Sequence, residues 1–142
     1  MLDFKKKPVI AMLHLRGDSS KERMARMVKE TEIYYKNGAD AVLVENYFGN
    51  TENCIQALDW LHKNLPDKSY GVNILGNFEK AFELAEKYNA PILLTNGKPE
   101  NVAKLHKYIY ENVIEEGTIY ILGGESAVPK SIENITGYNV VR

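Results

Sequence analysis

An α/β fold on a parallel sheet is what this 142-residue sequence predicts, and three observations carry the prediction. Short apolar, β-branched-rich runs alternate with stretches of helical periodicity. The alternation repeats roughly every 25–30 residues with short connections, as right-handed parallel crossovers require. Glycine or asparagine closes the helical stretches, while polar residues close the apolar runs. Such runs read as strands buried on both faces, which is how parallel sheets are made. The expected architecture is therefore an open parallel sheet of about six strands, built from βα repeats with helices on both faces. A partial TIM barrel is the alternative, because a closed (β/α)8 barrel takes roughly 250 residues. Residues 1–142 are read as a single α/β domain, a length that allows one sizeable core.

The elements follow in order. Pro8 to Leu15 is the first apolar run, ending near His14, and Arg16-Gly17-Asp18 breaks it. Ser19 with Glu22 three residues on is a capping-box signature. Met24, Met27, Val28, Thr31, Tyr34 and Tyr35 then recur at helical spacing up to Asn37-Gly38. Gly38 to Asn46 is the stretch around which the chain is organised: a helix stop, the strand Ala41 to Glu45, and a carboxylate beside a carboxamide where it ends. A second helix carries Cys54, Leu58, Leu61 and Leu65 on one face. Tyr70 to Leu75 is a third strand, and Gly76-Asn77 turns into a helix with Phe78, Ala81, Phe82 and Ala85 inward, ending near Asn89. Pro91 to Leu94 is a fourth strand. Pro99 suits the first turn of a helix striped by Val102, Leu105, Ile109 and Val113. Thr118 to Leu122, a short helix through Ile132 and Ile135, and a last strand from Tyr138 to Val141 complete the chain.

Composition narrows the function classes. A net charge of −1 gives no electrostatic reason for a nucleic-acid partner or an anionic membrane. No apolar stretch approaches a membrane span. One cysteine, Cys54, excludes an internal disulfide and fits a reducing compartment, and no signal peptide is visible, so a cytoplasmic location is expected. Trp60 and the nine tyrosines show no basic interleaving and read as packing residues.

Candidate chemistry gathers at strand ends. His14, Glu45, Asn46, Asn73, Thr95 and Asn96 all fall there and, in a parallel sheet, converge on one rim. His14 or Glu45 would serve as general acid/base, with the amides and the hydroxyl binding a polar substrate. The competing reading is that these residues cap helices or satisfy loop amides, and that His14 is a hydrogen-bonded core histidine. No third ligand stands at metal-site spacing beside His14 and Glu45, so no metal and no cofactor is expected. Gly123-Gly124 follows a strand and opens a helix, a geometry that presents amides to an anion. A tight turn needing glycine explains the same pair.

Pro8-Val9-Ile10-Ala11-Met12-Leu13-His14-Leu15, the block from Asn37 to Asn46, and Gly71-Val72-Asn73-Ile74-Leu75-Gly76-Asn77 together resemble the BtpA family over residues 8–96. That resemblance implies a TIM-barrel type of fold and a link to membrane-complex (photosystem I) biogenesis. Ala90-Pro91-Ile92-Leu93-Leu94-Thr95, then Ile119 to Val128 with its Gly123-Gly124 turn, and Tyr138 to Arg142 resemble the cell-wall-binding repeat 2 family over residues 89–142. That second resemblance implies secreted α/β modules used in tandem to hold proteins to anionic wall polymers. Residues 1–90 thus form a BtpA-like half and 91–142 a cell-wall-binding-repeat-like half; a natural fusion, a chimera and convergence of similar βα units remain open.

The leading expectation is a cytoplasmic domain that binds, with catalysis left open, a small polar or phosphorylated ligand or anion at the rim. The alternatives are a non-catalytic module for an anionic cell-wall polymer, or a scaffold without ligand. A monomer is favoured, with a homodimer if the sheet is an unclosed half-barrel.

Overall fold

The computed structural model describes residues 7–90, 98–113, 116–121, 125 and 128–142. Its contacts divide the chain into two compact units, Met1–Leu94 and Thr95–Arg142.

The first unit is a three-stranded parallel sheet of β1 (Ile10–Leu13), β2 (Ala41–Glu45) and β3 (Ser69–Asn73), in the order β1-β2-β3. The crossovers are α1 (Ser20–Lys36) and α2 (Thr51–Asn64), and α3 (Phe78–Lys87) follows β3. Register pairs Leu13 with Val44 and Val44 with Val72. Side chains alternate across a strand, so Leu13, Val42, Val44, Tyr70 and Val72 share one face. They form one core with Met27 of α1, Cys54, Leu58 and Leu61 of α2, and Leu84 and Ala85 of α3. Five residues in a row are buried in β2, as a central parallel strand requires.

Local chemistry sets the element ends. Ser19 accepts from the Glu22 amide at 3.2 Å, and the Glu22 carboxylate takes the Asp18 amide at 2.9 Å. Asn37 caps the far end, and Gly38 at φ +92° supplies the left-handed residue that follows. Asn50 and Asn53 form a reciprocal capping box at the start of α2.

In the second unit, β4 (Thr118–Tyr120) and β5 (Asn139–Val141) pair in parallel. α4 (Pro99–Asn112) buries Val102, Leu105 and Ile109; Ile132 and Ile135, in and beside a 3-10 turn at Lys130–Glu133, are buried as well. His106 Nε2 meets the Ile132 carbonyl at 3.1 Å, and the Tyr138 hydroxyl lies 3.3 and 3.1 Å from the Ile109 and Val113 carbonyls.

The α/β class and the parallel pairing match the sequence expectation; the sheet does not. In place of one open sheet of about six strands there are sheets of three and two among the described residues, and no barrel closes. The expected strand at Pro91 to Leu94 lies outside the described residues. Nor do the helices of the first unit divide between two faces. α1, α2 and α3 share one core with one face of the sheet, because strands added in sequence order by crossovers of one hand place successive helices side by side.

Candidate functional site

Glu45 is the last residue of β2 and Asn73 the last of β3, and the register sets them directly opposite each other. Both are buried, on the face opposite the helix-covered core. The Asn73 carboxamide donates to Glu45 Oε1 at 2.5 Å, which satisfies one carboxylate oxygen. The other faces His14 Nε2 at 3.4 Å.

His14 is brought there by the backbone on either side of it. Leu13 and Leu15 are both buried, and Leu15 adopts a left-handed φ of +52° just past the strand. With its neighbours turned inward, the His14 side chain projects to the rim and stays 46% exposed. The core-histidine reading of His14 is thereby overturned. Glu45 caps no helix either, since Asn50 caps α2.

The loop from Asn46 to Asn50 closes over this edge. Asn46 Oδ1 accepts from the Leu75 amide at 2.7 Å, so its carboxamide oxygen ties β2 to the turn after β3. The Phe48 amide donates to the His14 carbonyl at 3.1 Å. Gly49 seats the loop: a Cβ there would stand 3.1 Å from Asn53 Oδ1 and 3.3 Å from Leu15 Cβ. The result is an aromatic group at the rim. The His14 and Tyr47 rings lie 5.4 Å apart, Tyr47 and Phe48 meet edge to face at 4.8 Å, and Arg16 stands over Phe48 at 5.6 Å. Beyond Phe48 is an open depression of about 440 Å³ lined also by Arg16, Gly17, Asp18, Glu22 and Arg26.

His14, Glu45 and Asn73 thus form one cluster, Asn73 hydrogen-bonded to the carboxylate and His14 facing it at 3.4 Å, with Asn46 beside it as a tie. Thr95, Asn96, Gly123 and Gly124 lie outside the described residues. Tyr47 and Phe48 were missed by the sequence reading, which took every tyrosine for packing; Tyr47 is 61% and Phe48 48% exposed. The signal that finds them is two adjacent aromatics between a strand end and a helix cap, in no hydrophobic period. Among the described residues there is no group of three or more His, Cys, Asp or Glu placed to hold a metal ion.

Chemically, the cluster is a fixed hydrogen-bonding edge. A histidine donating Nε2–H toward Glu45 keeps Nδ1 as an acceptor, the arrangement of a positioned base and its orienting carboxylate.

Comparison with protein families matches residues 81–133 to the model of cell wall binding domain 2. The span starts within α3 and runs through α4 and β4 to the 3-10 turn; it covers over a third of the chain and overlaps the segment whose motifs resemble that family. The BtpA resemblance of residues 8–96 receives no support from it. Comparison with curated proteins and with solved structures gives no match. No described helix is long and apolar enough to cross a membrane.

Proposed function

We propose that the chain carries a cell-wall polymer-binding unit in its C-terminal part. The observation supporting this reading is the match of residues 81–133 to cell wall binding domain 2. The charge pattern constrains how such a unit binds. Residues 95–142 hold five Lys and Arg against six Asp and Glu. Arg142 pairs with Glu133 at 2.6 Å and Lys107 with Glu111 at 3.8 Å. A unit so balanced does not bind by neutralising many phosphates, so hydrogen bonding and shape carry the recognition, and salt weakens it little. A unit assayed by itself lacks the effective concentration that linked copies would supply, so the assay needs protein in excess. On this reading the chain works outside the cytoplasmic membrane.

The test is co-sedimentation of the full chain with purified bacterial sacculi, before and after acid extraction of their anionic polymers. The expected result is retention that disappears on extraction and falls less than tenfold between about 50 and 200 mM salt. Absence of retention on untreated sacculi overturns the reading.

A second reading is favoured by a separate observation, the buried Glu45 carboxylate fixed by Asn73 and facing the half-exposed His14. On it, the rim binds a small polar ligand, His14 and Glu45 supply acid–base capacity, and the chain belongs in the cytoplasm. The expected outcome is that Glu45→Gln alters ligand binding while stability falls by no more than about 2 kcal/mol, since the glutamine oxygen still accepts from Asn73.

A further inference from the structure

Two large aromatic side chains stand exposed beside a buried, hydrogen-bonded carboxylate. Exposed aromatics placed singly need no explanation, but a group of them at the mouth of a polar cluster marks a binding surface. Resting on the rim-site reading, we propose that the C-terminal edge of β1, β2 and β3 takes a neutral polyhydroxylated ring, a sugar unit, against Tyr47, with its hydroxyls on His14 and Glu45.

The chemistry selects this class over its rivals. A sugar ring has an apolar C–H face and an edge of hydroxyls that both donate and accept. Tyr47 offers the apolar platform. Glu45 Oε2, 3.4 Å from His14, offers an acceptor, and the half-exposed imidazole a second polar group. The His14 and Tyr47 ring centres are 5.4 Å apart, so one small ring reaches both. A phosphorylated ligand fits less well. It would meet the Glu45 carboxylate, and the adjoining depression sets Asp18 and Glu22 against Arg16 and Arg26. Arg16 is moreover placed over Phe48. A planar base has no slot, because Tyr47 and Phe48 stand at 81° to each other rather than parallel.

The experiment is an amide-resolved NMR titration of the full chain with maltotriose and tri-N-acetylchitotriose as neutral probes and glucose 6-phosphate as the charged one. A neutral probe is expected to shift the Asn73 side-chain amide and the backbone amides of Asn46 to Phe48. Tyr47→Ala and Glu45→Gln are each expected to weaken that binding about tenfold. Glu45→Gln keeps an oxygen for Asn73, so it guards against loss of fold. Shifts from glucose 6-phosphate alone overturn the neutral ring and spare the rim site. No shift from any probe overturns both, and neutral binding undiminished in Tyr47→Ala overturns the proposed platform.

Discussion

Cys54 shows how far burial controls one residue's chemistry. It has no exposed surface, and its thiol is pushed up to about 12, first by burial and then by the Glu45 carboxylate. Such a thiol stays protonated and inert near neutrality. Native protein at pH 8 is expected to leave Cys54 untouched by a disulfide reagent and to react fully in urea; rapid native reaction would contradict the packing. The pH dependence follows from linkage. The folded chain holds this proton more tightly than the unfolded chain, whose thiol titrates near its ordinary value of 9.0. That stability is complete below about pH 9 and is lost as pH rises toward about 12. Tyr35, also pushed up to about 12 by burial from an ordinary 10.0, acts in the same direction over the upper part of that range. Melting temperature is therefore expected to fall across this alkaline window, and less steeply in Cys54→Ala.

At the scale of elements, the start of α2 joins stability to the rim. Asn50 accepts from the Asn53 amide at 3.0 Å and Asn53 Oδ1 from the Asn50 amide at 3.3 Å. Asn50→Ala is expected to cost about 1 kcal/mol in urea unfolding. Asn53→Ala should cost more, because Asn53 is buried and its amide also donates to Ser20 Oγ at 3.2 Å. Equal costs would mean that the bond to Ser20 adds nothing. The Ser19–Glu22 start of α1 was legible because serine with glutamate three residues on is a strong signal; the Asn50–Asn53 box was not, because asparagine replaces the usual acid or glutamine. The same division holds at the rim. Glu45 and Asn73 were legible because each ends an apolar run. Tyr47 and Phe48 were not, because their exposure depends on how Gly49 seats the loop against Leu15, a contact 34 residues apart in the chain.

For the whole molecule, the sequence pattern identifies strands but not their partners. Each βα repeat presents the same local pattern, and pairing is decided by long-range contacts, so one sheet of about six strands was expected where the described residues form sheets of three and two. The division has an energetic consequence. β2 is hydrogen-bonded on both sides and buried at all five positions. The β4–β5 pair has three residues in each strand, and a two-stranded sheet is marginal without packing. Its support includes Tyr138, whose hydroxyl reaches the Ile109 and Val113 carbonyls of α4 and its cap. Native-state hydrogen exchange is therefore expected to protect the amides of 41–45 more strongly than those of 118–120 and 139–141, through opening of the second unit while the first stays folded. Tyr138→Phe removes one hydroxyl, worth about 1 kcal/mol, so exchange at 118–120 and 139–141 should speed roughly fivefold. Exchange at 41–45 should be unchanged. Equal acceleration of both sets would mean that the two units open as one.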